Sequence, residues 1–166
     1  MSEPFEFVLR AGYIGVGATV ILDLWTALLA RFGVASTNWG MVGRWLGHIP
    51  RGRFVHDNIA AAAPVPGERM LGWTAHYVTG VVYAGLLLAI VGVDWARAPT
   101  LLPALVFGVV TVAAPFFIMQ PGMGAGVAAS KTPKPNAARL KSLATHTVFG
   151  LGLYAAAAIA ALLTPA

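Results

Sequence analysis

Four apolar runs, each about long enough to cross a lipid bilayer, constrain the fold of this chain more than any other feature. They cover residues 8–30, 70–91, 101–119 and 143–163. A helix of about 20 residues crosses the hydrocarbon core, and it satisfies internally the backbone groups that lipid leaves without partners. We therefore predict an all-α integral membrane protein, a four-helix bundle in which residues 1–166 form a single membrane domain.

The composition excludes several classes of protein. Charged residues make up only 10% of the chain, whereas a soluble domain carries about 25%. Cysteine is absent, which excludes disulfides, iron–sulfur clusters and thiolate metal sites. The net charge of +5 is explained by membrane orientation, and no nucleic-acid module is present, so we expect no nucleic-acid partner.

The basic residues orient the predicted helices. Residues 31–69 and 120–142 hold nine of the eleven Lys and Arg residues, and the other two are Arg10 and Arg97. Because cytoplasmic loops are enriched in Lys and Arg, we predict that both of these loops are cytoplasmic. Both termini then lie on the outer side of the membrane.

The first cytoplasmic loop contains a further helical pattern. Trp39, Val42, Trp45, Leu46 and Ile49 recur at helical spacing on the side opposite Arg44 and Arg51, after a capping sequence at residues 36–38. Tryptophans and basic residues arranged in this way are typical of an amphipathic helix at the membrane interface.

The second and fourth spans carry the same motif. Arg69-x6-His76-x-Val78-x-Gly80 matches Arg139-x6-His146-x-Val148-x-Gly150. If this match is not a coincidence in a Gly- and Ala-rich chain, the protein consists of two repeated hairpins related by a pseudo-two-fold axis along the membrane normal. His76 and His146 then lie at equal depth.

Each predicted span contributes one polar residue near the cytoplasmic face, and ionisable groups within membrane spans are usually functional or paired. The glycines Gly80 and Gly150 follow the two histidines by one helical turn. We predict that they leave room beside each ring, to be filled by a flat ligand or by a neighbouring helix. The polar layer comprises Asp23, His76, Gln120 and His146.

The leading functional hypothesis is that this layer binds a small ligand, ion or cofactor. Haem b is its sharpest form, because two opposed histidines supply axial ligands, with Asp23 or Gln120 orienting them. Arg69 and Arg139 then hold the acidic groups of the ligand. A divalent metal bound by Asp23, His76 and His146 is the other form considered.

Two alternatives stay open, because the sequence contains no recognisable catalytic motif. In the first, the polar layer only joins helices, and the protein is a structural or assembly subunit of a homo-oligomer or a membrane complex. In the second, it is an enzyme acting on a lipid headgroup or another amphiphile, through His48, His56 and Asp57. The predicted headgroup or anion contacts are Arg44, His48, Arg51, Arg53, His56 and Lys131.

Several segments taken together carry a resemblance to a known family. They are Leu22-Asp23-Leu24-Trp25, Val42-Gly43-Arg44-Trp45-Leu46-Gly47-His48, Pro66-Gly67-Glu68-Arg69, Met119-Gln120-Pro121-Gly122-Met123-Gly124 and Thr145-His146-Thr147-Val148-Phe149-Gly150. In these, nearly the whole chain resembles a family of small bacterial inner-membrane proteins known only as a domain of unknown function. The resemblance implies a four-helix protein of the bacterial inner membrane, and it implies no catalytic residues.

Overall fold

The computed structural model describes residues 2–163, and this part of the chain is all-α. Short 3-10 turns lie at Ile49–Arg51, Ile59–Ala61, Val93–Ala96 and Val127–Ala129, and a π-helical segment lies at Pro115–Met119. The α-helices are α1 (Glu3–Ala30), α2 (Trp39–His48), α3 (Glu68–Val91), α4 (Leu101–Val110), α5 (Gln120–Gly122) and α6 (Pro135–Leu163).

The four predicted spans are confirmed as helices that are long and apolar enough to cross a membrane. They comprise Glu3–Ala30, Glu68–Val91, Leu101–Gly122 and Pro135–Leu163, between 22 and 29 residues long. This is the architecture of a multi-pass membrane protein. The direction in which the helices cross stays a prediction.

The third span is less regular than its apolar run suggests. It begins as α4, passes through the π-helical segment and ends in the short helix α5. Pro115 opens the π-helical segment, and proline inside a helix removes a backbone donor and displaces the preceding turn. The irregularity therefore has a cause in the sequence.

The fourth helix begins earlier than predicted. We placed residues 120–142 in a loop, but α6 starts at Pro135, a residue type that is favoured at the first position of a helix. Arg139 and Lys141 thus lie on the first turns of α6 rather than in a connecting segment. The hydropathy pattern marks only the apolar part of this helix.

The described chain divides into two compact units. The bundle unit contains residues 2–36, 77–110 and 145–163, and the loop unit contains residues 37–76 and 111–144. The prediction of a single domain stays a prediction, and each unit is described by itself.

The core of the bundle unit is built largely from small residues. Ala18, Ala84, Ala104 and Ala157 are fully buried beside larger side chains such as Leu153. Small residues let helix backbones approach closely, which is how membrane helices gain packing energy where lipid removes the hydrophobic driving force. Four helical segments pack in this way.

One end of the bundle unit is closed by an ion-pair network. The buried Glu6 carboxylate accepts hydrogen bonds from Arg10, 2.7 Å away, and from Arg97 in the connection after α3, also 2.7 Å away. Arg10 in addition donates to the Ala96 carbonyl at 3.0 Å. These hydrogen bonds tie the α3–α4 connection to α1. Both buried charged side chains of the network, Glu6 and Arg10, are paired in this way.

Candidate functional site

In the loop unit, the His76 ring lies inside an aromatic cluster. It stacks on the Trp39 indole with ring centroids 3.9 Å apart and an interplanar angle of 24°. The edge of Trp73 approaches the same ring at 5.8 Å. His76 is only 8% exposed. One face of the His76 ring, which we predicted to bind a haem or a metal ion, is thus covered by Trp39 of α2.

Two glycines bring α2 close enough for this stacking. A Cβ atom on Gly72 of α3 would overlap the Trp39 carbonyl oxygen, and one on Gly43 of α2 would overlap the Glu68 carbonyl oxygen. Asn38 fixes the start of α2 by accepting a hydrogen bond from the Met41 amide. Helix α2 thus begins directly after this cap, whereas its amphipathic, interfacial character stays a prediction.

In the bundle unit, His146 makes a hydrogen bond with the backbone of Gly108. The glycine one turn after it, Gly150, lies directly against α4. A Cβ atom on Gly150 would lie 2.9 Å from the Ala104 carbonyl oxygen and 3.0 Å from the Leu105 Cα. The room that we predicted beside Gly150 is therefore filled by a neighbouring helix.

The face of α3 that carries Gly80 is filled in the same way. A Cβ atom on Gly80 would overlap the hydroxyl of Thr19 and lie 3.0 Å from the Gly15 carbonyl oxygen, both on α1. The Thr19 hydroxyl also donates to that carbonyl at 2.8 Å. We predicted that either a flat ligand or a neighbouring helix fills this face, and in the bundle unit the helix α1 fills it.

The other two layer residues also have partners within their own units. Asp23 accepts a hydrogen bond from the Tyr77 hydroxyl at 2.9 Å, which joins α1 to α3. The amide of Gln120 donates to the Ser142 hydroxyl of α6 at 3.3 Å. The Gln120 carbonyl oxygen is buried and accepts no hydrogen bond from residues 2–163.

The two arginines of the repeated motif differ in their surroundings. Arg69 is exposed and lines an open cavity of about 430 Å³ at the start of α2. Arg139 instead donates to the Ala128 carbonyl at 2.8 Å. Ala128 and the next residue have the positive φ values of 47° and 59°, which favour glycine over alanine, so Arg139 supports an unusual turn.

A partly buried ion pair in the loop unit was not predicted. The Arg44 guanidinium binds both carboxylate oxygens of Glu68, each at 2.8 Å, and also donates to the carbonyls of Ala60 and Ala62. The hydrogen bonds that Arg44 donates to the Glu68 carboxylate raise the pKa of Arg44. Arg44 therefore fixes α2 and the loop onto α3, and its predicted contact with a headgroup stays a prediction.

The same unit joins His48 and His56, two residues that we predicted as headgroup contacts. Their rings are hydrogen-bonded to each other, with His56 Nε2 3.0 Å from His48 Nδ1. They are 3% and 6% exposed, respectively. Both side chains are thus engaged inside the protein, while Asp57, their predicted catalytic partner, is exposed.

The remaining predicted headgroup contacts lie on the surface. Arg51, Arg53 and Lys131 are exposed. Phe54 and Val55, which follow Arg53 in the sequence, are 59% and 71% exposed. The Phe54 carbonyl accepts a hydrogen bond from Trp45 Nε1 at 2.9 Å, which holds this segment in place. Their binding to headgroups stays a prediction.

Within residues 2–163, no three His, Asp or Glu side chains are grouped closely enough to hold a metal ion. The polar groups of the layer instead make hydrogen bonds and ring contacts within each unit. Chemically, this arrangement can join helices and orient rings, and the buried Gln120 carbonyl oxygen can accept a further donor.

Comparison with known proteins gives one match. No curated protein matches the chain, and no solved structure matches it. A family model described as "Protein of unknown function (DUF2938)" matches residues 13–160. This match covers most of α1, all of α2 to α5 and most of α6. The chain therefore belongs to this family of proteins of unknown function.

Proposed function

We propose that the protein is a non-catalytic membrane subunit whose loop unit binds anionic lipid headgroups. The observation that carries the proposal is the distribution of charge. The loop unit has eight basic and two acidic residues, whereas the bundle unit has three basic and four acidic residues. All of the excess positive charge thus lies in the loop unit, as expected for a unit at the cytoplasmic, anionic face of a bacterial inner membrane.

The polar layer has a structural role in this proposal. Asp23, Gln120 and His146 each have a partner on another helix, and His76 is stacked on Trp39. Interhelical hydrogen bonds of this kind are common between membrane helices. The subunit acts in a homo-oligomer or a larger membrane complex.

The bundle is proposed to consist of two repeated hairpins. Support comes from two matching contacts inside the bundle unit. Gly80, four residues after His76, packs against Gly15 of α1, and Gly150, four residues after His146, packs against Gly108 of α4. The same position of the motif therefore meets a glycine of the preceding span in both halves, as parallel repeats require.

The headgroup proposal predicts the effect of removing two exposed charges. In nanodiscs of phosphatidylglycerol and phosphatidylcholine, Arg51→Gln/Arg53→Gln is expected to reduce the enrichment of phosphatidylglycerol around the protein about thirtyfold at low salt. Each basic residue near an anionic surface contributes about 1 kcal/mol, and salt screens the effect. Native mass spectrometry of the bound lipid measures the enrichment.

The matched control is Arg51→Lys/Arg53→Lys, which keeps both charges at the same positions and should retain most of the enrichment. Equal enrichment in the Gln and Lys variants would refute headgroup binding at this segment.

A second candidate function is supported by the Gln120 carbonyl oxygen. A buried acceptor without a donor is uncommon and often marks a bound water or ion. It therefore supports the hypothesis that a small ligand or ion binds at Gln120, one residue of the predicted polar layer. The filled faces at Gly80 and Gly150 argue against a flat macrocycle at these two positions.

Absorption spectra separate these two functions. A haem site predicts a Soret band that sharpens on reduction with dithionite and is lost in His76→Ala/His146→Ala, with the variant still folded. A metal site predicts stoichiometric metal in the same sample. The structural role predicts neither signal, together with reduced stability of the double variant in detergent. A wild-type protein without haem or metal, together with a double variant that is folded and fully stable, would contradict both functions.

The enzyme hypothesis receives the least support. The ring nitrogens of His48 and His56 are occupied by contacts with each other and with backbone carbonyls. A general base must reach the proton that it removes. These rings would have to leave their buried positions to meet a headgroup.

A further inference from the structure

The buried pair of His48 and His56 lies between two backbone carbonyl groups. His48 Nε2 is 2.9 Å from the Ala63 carbonyl oxygen. His56 Nδ1 is 3.2 Å from the Gly122 carbonyl oxygen, and the two rings meet through His56 Nε2 and His48 Nδ1, 3.0 Å apart. All four ring nitrogens therefore take part in one continuous chain of three contacts.

The number of protons in this chain follows from its chemistry. A carbonyl oxygen only accepts hydrogen bonds, so the nitrogen that faces it must carry a proton, and the contact between the rings needs one proton as well. Three hydrogen bonds thus require three protons, whereas two neutral imidazoles carry two. We infer that the His48–His56 pair is a proton-binding site that holds one extra proton and one positive charge.

The surroundings of the pair are compatible with this charge. The Glu68 carboxylate of α3 interacts electrostatically with His48. The same carboxylate is also paired with Arg44 of α2. On the loop, the side chains of Asp57 and Arg53 are exposed, and α5 (Gln120–Gly122) contains no charged residue. The charge of the pair is stabilised by hydrogen bonds to two carbonyls, which buried charges require.

The proton links three segments of the loop unit. His48 belongs to α2, His56 to the loop, and Gly122 to α5. The Gly122 carbonyl also accepts a hydrogen bond from the His56 backbone amide at 3.0 Å. If the proton leaves, one of the three contacts becomes a repulsion between two lone pairs. The loop is then held against α5 less firmly, so the stability of this unit depends on whether the proton is bound.

The sign of this dependence is fixed. Two separate imidazoles in the unfolded chain together hold one extra proton at about pH 6.5 and less than one above it. Above this pH the folded pair binds more protons than the unfolded chain, so stability weakens as the pH rises further. We therefore expect the melting temperature in mild detergent to fall above about pH 6.5. His48→Gln/His56→Gln is expected to remove this slope.

The decisive experiment is nitrogen NMR of the full-length protein labelled with 15N-histidine. The chain has four histidines, and the signals of His48 and His56 are assigned by their loss in His48→Gln and in His56→Gln. At about pH 6, we expect three of the four ring nitrogens of this pair to be protonated, and both rings to change together as the pH rises.

The signals of His76 and His146 serve as internal controls, because neither ring belongs to the chain of contacts. Two neutral rings over the whole pH range in which the protein is folded would overturn the proposal, as would two independent titrations. If both variants fail to fold, the signals of the pair are assigned as those that persist in both His76→Gln and His146→Gln, and the count of protonated ring nitrogens still decides between three and two.

Discussion

Gly72→Ala is expected to lower the stability of the protein by roughly 2–3 kcal/mol. The added methyl group would overlap the carbonyl oxygen of Trp39. Because this obstacle is backbone rather than a flexible side chain, α2 as a whole must move away from α3. The stacking of Trp39 on His76 and the Arg44–Glu68 ion pair both depend on that approach. Unfolding in mild detergent with increasing SDS, followed by tryptophan fluorescence, measures the loss.

Gly12→Ala provides the matched control. It is the same substitution in the interior of a helix, but no atom lies within 4 Å of the added Cβ. Alanine is favoured over glycine in a helix by about 1 kcal/mol, so this variant should equal or exceed the wild type in stability. Gly72→Ala is thus expected to lower the stability and Gly12→Ala to preserve or raise it. The difference arises from the contact of α3 with the backbone of α2 at Gly72. If Gly72→Ala unfolds like Gly12→Ala, then α2 does not lie against α3 as described.

The four spans could be predicted because the lipid environment leaves few choices. An apolar run of about 20 residues has to become a helix there, and the observed spans match the four runs. The ends of the helices depend on other forces. The start of α6 at Pro135 lies in a polar sequence, where capping and packing rather than hydropathy decide.

The contacts of the individual site residues could be predicted less well. Arg44 lies opposite the apolar residues of α2, a pattern that indicates exposure, but its partner Glu68 is 24 residues away in the sequence. No spacing rule connects two such residues. The pairing of His48 with His56 likewise depends on how the loop folds back onto α5, and it places in the interior two rings that we expected at a headgroup.

The glycines of the two motifs are the point at which sequence and structure agree most usefully. Their spacing from His76 and His146 predicted a face with room beside each ring, filled by a ligand or a helix. In the bundle unit, helix α1 fills that face at Gly80 and α4 fills it at Gly150. The sequence predicts the face, whereas the choice between the two occupants requires the positions of the neighbouring helices.

Gly108→Ala is the corresponding prediction for the bundle unit, with an expected loss of about 2 kcal/mol. Its Cβ atom would overlap the Cα of Gly150 and lie 2.8 Å from the His146 carbonyl oxygen. Helix α4 must then move away from α6, which also weakens the hydrogen bond between His146 and Gly108. Gly15→Ala should cost a similar amount, because its Cβ atom would lie 2.6 Å from the Gly80 carbonyl oxygen.

Gly85→Ala is the control for this pair, since its Cβ atom would make only ordinary contacts, the nearest at 3.7 Å with Ala11. It should be as stable as the wild type or slightly more stable. Similar losses at positions 15 and 108, with none at 85, would support both the close glycine contacts and the repeated hairpin. Stable Gly15→Ala and Gly108→Ala variants would mean that the helices stand further apart. The faces beside His76 and His146 would then be open, and the ligand hypothesis would regain the room that it requires.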